Sequence, residues 1–203
     1  MSLEAISIKP QNSEPKYLLV MLHGWGANAE DLAPLSSMLT LPDYQLLFPN
    51  APFSHPQVPG GLAWYALETG KYEGIEESHQ LLKNWLISLE ADTGIPLSRT
   101  ILSGFSQGGA MSLDVGINLP LAGVCSLSGY LQFQPQKLAF PLPPILIIHG
   151  KNDQVVPVEM AQKARDELTA IDAKIEYHEL AMGHEIPPMV LPIFETFIKA
   201  NTR

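Results

Sequence analysis

The run Ser103-Gly104-Phe105-Ser106-Gln107-Gly108-Gly109 holds a serine between two glycines in the pattern G-x-S-x-G. It follows the apolar pair Ile101-Leu102 and precedes Ala110, Met111 and Leu113, which is the strand–turn–helix setting of a nucleophile elbow. The requirement is steric. A sharp turn strains the serine backbone, and side chains larger than hydrogen at 104 and 108 would clash. The turn aims Oγ outward above a sheet, and the N-terminus of the next helix favours negative charge beside it. The alternative is an ordinary glycine-rich turn, and the context favours the nucleophile.

A serine hydroxyl needs a base, and the base needs an orienting partner. In this topology the chain order is Ser, then Asp or Glu, then His. His178 falls inside the strand-like Lys174–Leu180, whereas His184 lies just beyond it in Met182-Gly183-His184-Glu185. A loop carries a base over the carboxyl edge of a sheet and a mid-strand position does not, so His184 is the candidate. Asp153 follows the buried run Ile145–His149 in a turn, again at the edge where open α/β sheets place their sites. Asp172 and Glu176 fit less well, and His149 is expected to be structural. His23-Gly24-Trp25-Gly26 follows another apolar run. Its Trp25 N–H and the N–H of Gln107 are the expected oxyanion donors, with His23 as a loop anchor.

Rival chemistries are thinly supported. Gly24-Trp25-Gly26-Ala27-Asn28-Ala29 satisfies G-x-G-x-x-G/A, but no acid follows Phe48 before Glu68 to hold a ribose, and Trp25 would crowd a pyrophosphate. There is no H-E-x-x-H and no G-x-x-x-x-G-K-[ST], so no metal site and no cofactor are expected. The single cysteine, Cys125, lies in an apolar run and reads as core. A net charge of −9 without a Lys/Arg cluster argues against nucleic acid. The longest apolar stretch, Leu138–Ile148, is too short to span a membrane and holds three prolines. Met1–Lys16 is polar and has no signal-like core. A soluble cytoplasmic protein without integral membrane contact is expected, as a monomer or homodimer.

Positioning three distant side chains requires a scaffold. The runs Tyr17–His23, Gln45–Phe48, Thr100–Ser103, Gly123–Ser128 and Ile145–His149 read as strands buried on both faces, as in a parallel sheet. Ala173–Leu180 reads as a more polar edge strand. Asn28–Leu39, Ile75–Glu90, Gln107–Asn118, Val158–Ala170 and Pro188–Ala200 read as helices. The alternation predicts an α/β fold, a mostly parallel central sheet with helices on both faces. The 203 residues fit one domain spanning 1–203. Pro42–Leu67 is a proline-rich loop with its own aromatics, a length more often functional than linking.

In that order, His23–Gly26, Gly104–Gly109, Gly150–Pro157 and Met182–Ile186 make the chain resemble the α/β-hydrolase superfamily. More narrowly it resembles the small carboxylesterases, lysophospholipases and acyl-protein thioesterases. Pro49-Asn50-Ala51-Pro52 and the pair Trp64-Tyr65 match that group, while Ala66 stands where many members carry Asp. The resemblance implies little or no cap domain, Ser106, Asp153 and His184 as the triad, and the Trp25 and Gln107 amides as the oxyanion hole. The expected activity is cleavage of small-molecule carboxylic esters through an acyl-enzyme, with thioesters or lysophospholipids as alternatives. A non-catalytic binder on the same fold is a more distant alternative. Phe53, Trp64 and Tyr65, aided by Ile186 and Met189, are expected to line an apolar acyl pocket. His184 must be neutral to act as base, so activity is expected to fall in acid.

Overall fold

In the computed structural model, which describes residues 3–138 and 140–202, the apolar runs become the strands of one sheet. Along the chain these strands are β1 Ala5–Ile8, β2 Tyr17–Leu22, β3 Tyr44–Pro49, β6 Thr100–Phe105, β7 Gly123–Leu127, β8 Ile145–Gly150 and β9 Ile175–Leu180; a separate hairpin pairs β4 Phe53–Ser54 with β5 Leu62–Ala63. The sheet order is β1-β3-β2-β6-β7-β8-β9. Every pairing in it is parallel except β1 with β3. The expected fold class is therefore the observed one.

Strand periodicity divides the core. Leu18, Val20 and Leu22 face a cluster with Leu82, Trp85 and Leu86 of α2 (Ile75–Thr93), Met111 of α3 (Gln107–Gly116) and Ala161 of α4 (Val158–Thr169). Leu19 and Met21 face the opposite cluster, with Leu32 of α1 (Ala29–Leu32) and Phe194 and Phe197 of α5 (Val190–Asn201). Both faces of β2 are thus covered by helices, which is why its six residues carry five apolar side chains in a row without alternation. Among the described residues no helix is long and apolar enough to cross a membrane.

Two elements depart from expectation. The helix expected over Asn28–Leu39 is a short α-turn capped by Asn28, followed by a 3-10 segment at Ala33–Met38. Pro34 lacks the N–H that an α-helix would use there, so the chain tightens instead. The polar start also contains a strand. Ile6 and Ile8 pack on the core while Ala5 and Ser7 face out, an edge strand whose two isoleucines are too few to stand out in sequence.

Parallel registry brings the strand ends to one rim. Leu22 lies opposite Gly104, Phe105 opposite Leu127, and Gly150 opposite Leu180. The loops after β2, β6, β8 and β9 therefore leave the sheet on the same side, and these four loops carry Trp25, Ser106, Asp153 and His184.

Candidate active site

Ser106 sits between β6 and α3 with φ +55 and ψ −118, a region that non-glycine residues rarely adopt. The strain is held from several directions. Its N–H donates to Leu127 O at 2.9 Å, and its carbonyl accepts from Ala110 N–H at 3.0 Å. A Cβ on Gly104 would stand 2.1 Å from Gly108 O, and one on Gly108 would stand 2.3 Å from Leu22 O. Neither contact is tolerable, so the elbow closes only with glycine at both positions. Gln107 begins α3, where first-turn amides have no intrahelical acceptor.

Asp153 lies on the turn after β8 with its side chain buried. Oδ1 accepts from the N–H groups of Val155 and Val156, each at 2.9 Å. Oδ2 stands 2.7 Å from His184 Nδ1. Burial works to raise the carboxyl pKa, but the bonds from His184, Val156 and Val155 outweigh it, and the group lies below its ordinary value. Asp153 is therefore a carboxylate that accepts a proton-bearing Nδ1, which leaves Nε2 of a neutral His184 as an acceptor. The imidazole packs against Phe105 with ring centroids 4.8 Å apart, and His184 and Ser106 line the same cleft. No hydrogen bond joins Ser106 Oγ to His184 in the structure. Such contacts are often long before substrate binds.

The other histidines are placed differently. His178 stays in β9, pairs with Glu176 at 2.9 Å, and does not line this cleft. His149 is buried, with Nε2 2.8 Å from Val156 O, so it braces the turn that carries Asp153. Burial pushes His23 below its usual pKa, partly opposed by its bond to Gly24 O. Its Nε2 accepts from Ala51 N–H at 3.0 Å, so Nδ1 is the nitrogen that donates to Gly24 O, at 2.8 Å. This is the loop anchor expected of it. Gly24 runs directly past the serine, since a Cβ there would meet Ser106 Cβ at 3.3 Å.

The cleft has a volume of about 760 Å³. Its apolar wall is formed by Leu67, Phe105, Leu131, Val155, Val156 and Met160, with Tyr72 and Tyr130 beside them. Phe53, Trp64, Tyr65, Ile186 and Met189, expected to line an acyl pocket, do not line this cleft. Trp64 and Tyr65 are wholly buried in the core. Phe53 lines a smaller cavity, which Trp25 also borders. Ile186 packs on the α5 side of the core, and Met189 is half exposed. An aromatic pair in a loop carries no signal of whether it faces a ligand or the interior. Position relative to the strands was the better guide, since Leu131 follows β7 and Val155-Val156 follow Asp153 at the carboxyl rim.

Away from the cleft lining, Asp114 of α3 has a nearly buried side chain, with its Oδ2 3.7 Å from His79 Nε2. Burial raises its pKa to about 7, against the opposing amides of Phe133 and Gln132. His79 is pushed down by burial and gives little compensating charge. A folded pKa above the unfolded value means this group's contribution is fully present only below the ordinary carboxylate range and is lost as pH rises from there through about 7. Asp114→Asn is expected to exceed the wild-type melting temperature by several degrees more at pH 8 than at pH 5. Melting curves at the two pH values check this, and an equal shift at both would contradict the assignment.

A parallel sheet flanked by helices, with a strained serine turn and an Asp–His pair at its carboxyl rim, defines an α/β-hydrolase. Comparison with known proteins narrows the class. The model of the phospholipase/carboxylesterase family matches residues 3–202, and the chain belongs to that family. It is 30% identical to an acyl-protein thioesterase 1 of Mycosarcoma maydis, over 97% of this chain and 96% of the relative. The crystal structure of esterase PE8 superposes with a TM-score of 0.91 at 31% identity, covering 98% of this chain and 99% of the other. Acyl-protein thioesterase 2 of Zea mays gives 0.81 at 25% identity, covering 98% and 99%. The protein is accordingly a serine hydrolase of the esterase and thioesterase type.

Proposed function

We propose that this chain, as one domain, hydrolyses small-molecule carboxylic esters by a Ser106–His184–Asp153 mechanism. The observation that carries the reading is the 2.7 Å Asp153–His184 bond at the rim of the cleft into which the strained Ser106 turn also opens. Ser106 Oγ attacks the ester carbonyl while His184 Nε2 takes its proton. Asp153 keeps Nδ1 as the protonated nitrogen and stabilises the imidazolium. The Trp25 and Gln107 amides hold the developing oxyanion. Collapse of the tetrahedral intermediate expels the alcohol, which leaves with the proton held by His184. Water then adds to the acyl-enzyme by the same route, releasing the carboxylic acid and restoring Ser106.

A thioesterase reading uses the same steps with a thiol as leaving group, and the acyl-protein thioesterase names among the relatives favour it. Matched oxygen and sulfur esters of one acyl chain separate the two. A kcat/KM higher on the thioester by tenfold or more would replace the carboxylesterase assignment. The apolar cleft is assigned to the acyl chain, so Leu67→Trp is expected to lower the octanoyl-to-acetyl rate ratio about tenfold or more. Equal losses on both chain lengths would remove the cleft from that role. A fluorophosphonate probe tests the nucleophile itself, with the label expected on Ser106.

A further inference from the structure

Residues 62–65 touch both peptide segments that bear the proposed oxyanion donors. On the Trp25 side, Gly26 N–H donates to Leu62 O at 2.8 Å and Leu62 N–H donates to Ala27 O at 2.9 Å. The indole Nε1–H of Trp64 donates to His23 O at 3.0 Å. On the Gln107 side, the backbone N–H of Trp64 donates to Gln107 Oε1 at 2.9 Å, and Gln107 Nε2 donates to Tyr65 O at 2.8 Å. Only one orientation of the Gln107 amide satisfies both partners. Trp64 O is itself held by the Ser78 hydroxyl of α2. Trp64 is 0% exposed and Gln107 1%, so a bond left unmade here strands a desolvated polar group.

A tryptophan present only to fill the core would need an acceptor for its indole N–H, and any nearby carbonyl would serve. Here the indole takes the carbonyl that introduces Gly24-Trp25, while its own amide takes the side chain of the residue after the nucleophile. One residue spans the two arms. We propose that Trp64 is a positioning residue that ties the two oxyanion donors at a set separation, so that the hole exists before substrate arrives. The inference rests on Trp25 and Gln107 being those donors. Donors act at about 2.7–3.1 Å from the oxyanion position, a narrow window, and displacement by about 1 Å can lower a rate about 10²-fold. A tie between the arms is therefore a rate device as well as a packing one.

The test pairs kinetics with a tetrahedral mimic. An alkyl boronic acid gains a bond from Ser106 Oγ to boron, the Oγ proton passing to His184, and becomes a tetrahedral anion with an oxygen in the hole. Trp64→Phe keeps a ring and deletes the indole N–H. It is expected to lower kcat on a p-nitrophenyl ester about tenfold or more with KM nearly unchanged, and to weaken boronate inhibition by the factor lost in kcat/KM. Trp85→Phe makes the same exchange elsewhere in that core cluster and is expected to leave boronate inhibition as in the wild type. Gln107→Met cuts the other arm and carries the same readout should Trp64→Phe not fold. Wild-type boronate affinity in the folded variant, or a loss confined to KM, overturns the tie while leaving the triad intact. A wild-type enzyme that neither binds the boronate nor takes a fluorophosphonate label at Ser106 overturns the underlying mechanism, and the tie with it.

Discussion

Ser106→Ala is expected to lower kcat/KM on p-nitrophenyl esters by about 10⁴-fold or more, with the protein still folded. The fold should survive because everything that shapes the elbow is backbone. The bonds Ser106 N–H to Leu127 O and Ala110 N–H to Ser106 O remain, as do the glycines at 104 and 108. Alanine and serine both carry a Cβ, so the strain at φ +55 is the same in each. Ser106 Oγ makes no hydrogen bond with the described residues, so its removal strands no partner. What disappears is the nucleophile. Circular dichroism should match the wild type, the fluorophosphonate label should vanish, and activity above about one per cent would end the acyl-enzyme account.

Asp153→Asn is expected to reduce kcat about 10³–10⁴-fold through a tautomer error. Oδ1 of Asp153 is committed to two N–H donors, Val155 and Val156. An asparagine must keep its own carbonyl oxygen there and turn its NH₂ toward His184. His184 Nδ1 would then become the acceptor, forcing the proton onto Nε2, the nitrogen that must receive the serine proton. The imidazole stays in place and faces Ser106 with the wrong atom. Asp153 also contributes to stability with a definite sign. Its pKa is depressed in the folded state, so its contribution is present above the ordinary carboxylate range and fades as pH falls through the depressed value. The asparagine variant should lose part of that acid dependence. Steady-state kinetics and acid unfolding of the two proteins check both statements, and near-wild-type kcat would remove Asp153 from the mechanism.

Which parts were legible in sequence follows from the physics of each signal. The nucleophile turn was, because its steric demand falls on two residues only two positions from the serine on either side. Gly104 and Gly108 have to be glycine whatever the rest of the chain does. The pairing of His184 with Asp153 was legible only through topology: a loop after a strand end can reach the rim, and a strand interior such as that of His178 cannot. That Trp64 and Tyr65 are buried was not legible, because burial is a property of what packs on top of a residue. Here β5 turns inward beneath the Trp25 loop, and Leu62 bonds to Gly26 and Ala27. The 3-10 segment after α1 was missed although Pro34 was in plain view, since over six residues a period of about 3.0 is hard to tell from one of about 3.6.

Local chemistry and the alternation of buried strands with helices belong to the amino-acid string alone. It dictates which strands are buried on both faces, where the chain must turn, and which side chains carry a hydroxyl, an imidazole or a carboxylate. Tertiary structure decided where those groups stand relative to one another, and which atoms of His184, Gln107 and Trp64 find partners. Hydrogen bonds between residues forty positions apart depend on sheet register and on directions about 3 Å long. No pattern of neighbours along the chain encodes distances of that size.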